Sequence, residues 1–245
     1  MNSHIQKIRL LLVWIFTFAM FPAYSYNMRQ SSNIDGLSNS AILSLCRDDN
    51  SFLWVGTCDG VNIADGTSIN PFTSIFPGQT ISGNIIEKIV NGGNGIMWVL
   101  TNHGLDLVDT NARIVSTHPQ FNGQESMCID ENGILFIIEE NSQLMQHDKK
   151  SDSGFSVVGK IDIPFEEIQK ISIKDNSLWI VSDKGIHSCS LKTSANGAKT
   201  TDGKTTIVDN SPVRFAKVQG NQIFIIDNEG FICEVMPGGK SKKIT

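Results

Sequence analysis

Residues 48–61 read Asp48-Asp49-Asn50-Ser51-Phe52-Leu53-Trp54-Val55-Gly56-Thr57-Cys58-Asp59-Gly60-Val61. An aromatic residue is flanked by aliphatic ones, with an asparagine before it and a glycine after it. The arrangement returns as Met97-Trp98-Val99, Leu135-Phe136-Ile137, Leu178-Trp179-Ile180 and Ile223-Phe224-Ile225. The aromatic positions are 54, 98, 136, 179 and 224, at intervals of 44, 38, 43 and 45 residues. Asn50, Asn94, Asn132, Asn176 and Asn221 stand three or four residues before the aromatic, and Gly60, Gly104, Ser142, Gly185 and Gly230 stand six after it. Asn and Gly tolerate positive φ, so both sites read as tight turns around a short strand.

Each unit therefore reads as strand, Asn turn, aromatic strand, Gly turn, strand, and a variable stretch able to hold a fourth strand. First strands are expected over 41–47, 85–90, 126–130, 169–173 and 214–218, and third strands from Val61, Leu105, Gln143, Ile186 and Phe231. The aromatic strands are apolar on consecutive residues, which fits sheets covered on both faces. Stacked four-stranded blades meet that condition, and a period near 43 residues favours a propeller over an antiparallel solenoid. No stretch after Ser25 sustains a 3.6-residue apolar period. The fold class is all-β: a β-propeller of about five four-stranded blades, an incomplete ring, with the five aromatics packed between neighbouring blades.

Around this core, the 245 residues are 40% hydrophobic and 18% charged with a net charge of -5, the composition of an ordinary globular chain. No basic run marks a nucleic-acid footprint. Lys7 and Arg9 precede an apolar run from Leu10 to Phe21, then Pro22-Ala23-Tyr24-Ser25. That pattern predicts a signal peptide over 1–25 and a propeller over 26–245, exported to the periplasm. No cysteine lies near the cleavage position, so no lipoprotein anchor is expected. Cys46, Cys58, Cys128, Cys189 and Cys233 are odd in number and contain no CxxC pair, which excludes a zinc ribbon. Cys46 and Cys128 stand eight residues before their aromatic, where the other units have Val90, Ile171 and Ala216, so the position reads as packing.

The chemistry-bearing motifs are missing. There is no HExxH spacing and no P-loop, and Gly36-Leu37-Ser38-Asn39-Ser40 fails a GxSxG elbow at its last position. No catalytic residue, cofactor or metal site is expected. The turns between second and third strands hold Cys58-Asp59, Asn102-His103, Glu140-Asn141, Asp183-Lys184 and Asn228-Glu229. They share one propeller face with the links between blades, and polar groups converging there can hydrogen-bond a ligand. Asp59, His103 and Asp183 are the candidate ligand-binding residues.

The segments Asp35-Gly36-Leu37-Ser38-Asn39-Ser40-Ala41-Ile42, Asp48 to Thr57 and Asp59-Gly60-Val61-Asn62 resemble the two-component regulator propeller repeat. The second unit is a fair match and the later ones weaker, with Phe for Trp in the third and fifth. The resemblance implies the periplasmic sensor of a hybrid two-component histidine kinase, detecting an oligosaccharide. It further implies inner-membrane anchoring and a kinase in the rest of a longer protein. Closure of the ring calls for about seven blades, and a homodimer is a candidate partner state. The alternative is a secreted propeller glycosidase or lyase: Glu131-Asn132-Gly133-Ile134-Leu135-Phe136 is similar to the Asp-box turn of sialidases. Those enzymes need several arginines, and beyond residue 25 only Arg29, Arg47, Arg113 and Arg214 are present.

Overall fold

The computed structural model describes residues 36–148, 151, 153–163, 168–174, 176–194, 198–209, 213–219, 222–227, 229–235 and 241–244. The segment 1–25, expected as a signal peptide, lies outside them. Five four-stranded antiparallel sheets follow one another along the chain. The first blade holds β1 (Ile42–Arg47), β2 (Leu53–Thr57), β3 (Gly60–Ala64) and β4 (Ile69–Pro71), followed by a single helical turn, α1 (Phe72–Ile75). The second holds β5 (Ile86–Gly93), β6 (Ile96–Thr101), β7 (Gly104–Asp109) and β8 (Ile114–His118). The third holds β9 (Ser126–Ile129), β10 (Leu135–Ile138), β11 (Gln143–His147) and β12 (Phe155–Lys160). The fourth is β13 (Ile168–Lys174), β14 (Ser177–Ser182), β15 (Gly185–Ser190) and β18 (Thr205–Asp209), with a side hairpin of β16 (Lys192–Thr193) and β17 (Lys199–Thr200). The fifth is β19 (Val213–Gln219), β20 (Gln222–Asp227), β21 (Ile232–Val235) and β22 (Ser241–Lys243). The first strands of successive blades touch, β1 on β5, β5 on β9, β9 on β13 and β13 on β19. They line the axis of a β-propeller.

The aromatic of each unit faces the next blade. Trp54 packs with Phe72 and Phe76 and with Ile86, Met97 and Val99 of the second blade. Trp98 meets Leu135 and Phe155 of the third, and Phe136 meets Ile171, Leu178 and Ile180 of the fourth. These three are almost fully buried. Trp179 is half-buried against Val213, Ala216 and Ile225 of the fifth blade, and Phe224 is half-buried with no further described blade ahead of it. The expected packing between blades thus fades over the last two units, because each aromatic depends on the blade that follows.

The turns follow the expected chemistry with one shift. Gly60, Gly185 and Gly230 have positive φ, and Ser142 keeps it at 67°. Asn94 and Asn176 also have positive φ. In the first and third units the residue after the asparagine takes it instead, Ser51 at 68° and Gly133 at 77°. There an aspartate closes the loop: Asp48 Oδ1 accepts from the amides of Asn50 and Phe52, and Asp130 Oδ1 from those of Asn132 and Ile134, all at 2.9 Å.

Loop length corrects one part of the repeat alignment. Cys46, Val90 and Cys128 pair with Trp54, Trp98 and Phe136. In the fourth and fifth blades the partners of Trp179 and Phe224 are Ser172 and Lys217, while Ile171 and Ala216 pair one residue further on. Five residues separate the paired Arg47 and Leu53, but only two separate Lys174 and Ser177. A one-residue slip reverses the face of a strand. Ile171 and Ala216 therefore look back at the preceding blade and are not equivalents of the two cysteines.

Candidate functional site

The second-to-third-strand turns are held by buried hydroxyls. Thr57 Oγ1 donates to Gly60 O at 2.9 Å and accepts from Asp59 N at 3.0 Å. Thr101 does the same for Gly104 and His103, and Ser182 for Gly185 and Lys184. A serine in the preceding link joins this clasp. Ser38 Oγ lies 3.1 Å from Thr57 Oγ1 and its amide donates to Asn62 Oδ1; Ser82 lies 2.9 Å from Thr101 Oγ1 and its amide donates to Asp106 Oδ2. The Ser, Thr and Gly of the repeat therefore fix the turn in the first two blades, and Ser182 with Gly185 does so in the fourth.

On these turns Asp59 and His103 are exposed. Asp183 is half-buried, 3.2 Å from Lys184 Nζ, and its charge acts on the buried His187. Burial pushes the His187 imidazole below its ordinary value, against the opposing pull of Asp183. The three residues occupy corresponding turns at one end of the blades, and none of them lines the cavities below.

The opposite end carries a cleft of about 600 Å³ between the second and third blades. Asn94, Asp109, Asn132, Gln146, His147 and Asp148 line it, with no lysine or arginine among the described residues. Its floor includes Trp98, whose ring meets that of His147 edge-on at 4.8 Å.

A second cavity, of about 890 Å³, lies among the inner strands of the first, second, fourth and fifth blades, with Lys88 and Lys170 in its wall. Lys88 Nζ donates to Met127 O at 2.7 Å. Burial lowers its pKa to about 8; the thiol of Cys128 acts against that and the charge of Lys170 adds to it. Cys128 itself is pushed up to about 12, chiefly by burial, so its thiol is not a nucleophile at neutral pH. Sequence reading did not single out Lys88, because the carbonyl it meets is 39 residues away.

Residues 36–59 match the family model described as two component regulator propeller. In fold the chain is similar to the extracellular domain of the hybrid two component system BT3049 of B. thetaiotaomicron, at 20% identity and a TM-score of 0.67, covering 89% of this chain and 32% of that one. It is similar to PorZ of Porphyromonas gingivalis, a surface component of the type-IX secretion system, at 13% identity and a TM-score of 0.58, covering 87% and 28%. It is also similar to virginiamycin B lyase of Staphylococcus aureus, at 14% identity and a TM-score of 0.57, covering 84% and 70%. The chain thus spans about a third of the length of the first two. At these identities the likeness is one of fold. No curated protein matches the sequence.

Proposed function

We propose, from the match of residues 36–59 to the two component regulator propeller model, that the chain forms the N-terminal part of the sensor propeller of a two-component regulator. In this reading residues 1–25 direct export to the periplasm and are removed. The rest of a longer protein supplies further blades, the membrane anchor and a histidine kinase. Among the described residues no helix is long and apolar enough to cross a membrane. The observation that carries the reading is the Ser38–Thr57–Gly60 clasp. Its Ser38 and Thr57 lie within the family match, Gly60 follows it directly, and the clasp recurs at Ser82–Thr101–Gly104, in a chain folded like the extracellular domain of a hybrid two component system.

The proposed signal is an oligosaccharide, with Asp59, His103 and Asp183 as candidate contacts. Two measurements test this. Fractionation with mass spectrometry of the mature N-terminus should find a periplasmic chain starting at or near Tyr26; an intact Met1 in the cytosol overturns the export step. Thermal melting against an oligosaccharide panel should find stabilisation that the D59A/H103A/D183A triple variant loses. Binding unchanged in that variant places the contacts elsewhere, and cleavage of the glycan replaces the sensor with a glycosidase or lyase.

A further inference from the structure

Asp48, Gly92 and Asp130 each stand six residues before the aromatic of their unit. The strand register makes them equivalent. Arg47, Asn91 and Ile129 pair with Leu53, Met97 and Leu135, the residues just before the aromatics, and Asp48, Gly92 and Asp130 come next along the chain. In the first blade Asp48 Oδ2 accepts the indole N–H of Trp54 at 3.0 Å. In the third blade Asp130 keeps the carboxylate, Phe136 has no donor, and Lys199 Nζ stands 3.5 Å away instead. The second blade is the reverse case: Trp98 keeps the indole, and Gly92 has no carboxylate to meet it.

Trp98 is only 2% exposed, and among the described residues nothing accepts from its Nε1. The ring contacts with His118, His147 and Phe155 hold the indole without bonding its N–H. A Cβ on Gly92 would stand 3.1 Å from Nε1, so the N–H lies at Gly92, and both residues are in the wall of the cleft between the second and third blades. Gly93 keeps the adjoining ground bare, since a Cβ there would meet nothing within 4 Å. A donor on so buried a ring costs free energy while it lacks an acceptor. The missing aspartate leaves both the donor and the space beside it.

The cleft also offers acceptors. Asp109 Oδ1 takes the amides of Asn111 and Ala112 at 2.9 and 2.8 Å, which leaves Oδ2. Asn132 Nδ2 donates to Asp130 Oδ2 at 3.5 Å, which leaves Oδ1. A ligand carboxylate could take the indole N–H but would face the Asp109 carboxylate. An ammonium group could meet Asp109 but cannot accept from the indole. A hydroxyl accepts and donates at once.

We propose that this cleft binds a neutral sugar, whose hydroxyls accept the indole N–H of Trp98 where the repeat otherwise places an aspartate, and donate to Asp109 and Asn132. The site lies at the end of the blades opposite Asp59, His103 and Asp183, and it stands whether or not the chain is a sensor.

The test is ¹⁵N-indole NMR of the chain titrated with glucose, galactose and mannose, and with the uronate of each. The Trp98 indole resonance, assigned by its loss in Trp98→Phe, should move with at least one neutral sugar. The Trp54 resonance, already bonded to Asp48, should stay. No movement with any of the three overturns the site, and an equal or larger response to the matching uronate overturns the neutral ligand. Trp98→Phe places at this position the residue type of the third blade. It should weaken binding about tenfold, the scale of one buried hydrogen bond, as read from the Gly93 amide. Gly92 lies outside the left-handed region, so Gly92→Asp restores the repeat carboxylate and should abolish the response. Unchanged affinity in both variants overturns the site. Should both fail to fold, the wild-type titration decides, with the indole assigned by its NOEs to Phe155. The D59A/H103A/D183A variant should keep the Trp98 shift, and its loss there places the sugar at the turns instead.

Discussion

Replacing Lys199 with Met should cost the chain about 3 kcal/mol of stability, and a second substitution should recover part of it. The carboxylate of Asp130 is fully buried. Its Oδ1 is satisfied by two backbone amides, while Oδ2 faces Asn132 Nδ2 and Lys199 Nζ, each at 3.5 Å, the lysine itself buried and 5.7 Å from the centre of the Phe136 ring. In the first blade the equivalent Oδ2 of Asp48 accepts from the indole Nε1 of Trp54 at 3.0 Å. Phe136 has no donor there, and the β16–β17 hairpin of the fourth blade supplies a cation in its place. Removing one partner of a buried ion pair costs about 3–5 kcal/mol, because the other charge stays buried alone. The two amides on Oδ1 put this case at the lower end. Phe136→Trp would restore a donor at the cost of overpacking, about 1–3 kcal/mol on its own. In the double variant the indole N–H should relieve Asp130, so F136W/K199M should be more stable than the sum of the single changes allows. Urea unfolding followed by tryptophan fluorescence measures all three. A cost under about 1 kcal/mol for Lys199→Met, or strict additivity, would refute the substitution of cation for indole.

Trp54→Ala should cost about 3–5 kcal/mol because the ring is fully buried, whereas Phe224→Ala, half-buried on the last blade, should cost roughly 1 kcal/mol. Equal losses in urea titrations would show that a further element covers Phe224. Lys88 has a folded pKa of about 8 against an ordinary 10.5, so the unfolded chain binds the extra proton between these values and stability should rise with pH across that window. Lys88→Met should lose this rise; a melting temperature with the same slope from pH 8 to 10 in both proteins would remove Lys88 as its source. The isolated chain should self-associate, because Ile42, Leu43 and Leu45 on the first blade and Ile232 on the fifth stay exposed. A sharp monomer peak by light scattering at high concentration would contradict this.

What could be read from the sequence was whatever a single blade decides within itself. The glycine six residues after each aromatic is a local demand of the turn, and even Ser142 meets it with positive φ. The face of Ile171 and Ala216 was not legible, because it depends on whether the preceding loop is odd or even in length, and on the Asn91–Gly93 register shift that restores the parity in the second blade. Asp59 and His103 were legible as exposed turn residues. The setting of Lys88 was not, since its partner carbonyl, the neighbouring charge and the opposite wall come from three different blades.

The same division decides where a repeat propeller can hold binding specificity. The signature residues are occupied: Thr57 and Thr101 are fully buried with both hydroxyl functions in use, Asn62 receives the Ser38 amide, and Asp106 takes Ser82 and Thr117. Altering any of them to recognise a ligand would loosen its own turn. The inner-strand position that pairs two residues beyond the aromatic of its blade is built the other way. Its backbone position repeats from blade to blade, while the residue there changes from Ser44 to Lys88 to Ser126 to Lys170. A position whose backbone geometry is fixed by the repeat and whose side chain differs from blade to blade can change its chemistry at less cost than a residue of the clasp. Recognition in this propeller should therefore follow the residues that break the repeat, and the residues that define it should answer only to stability.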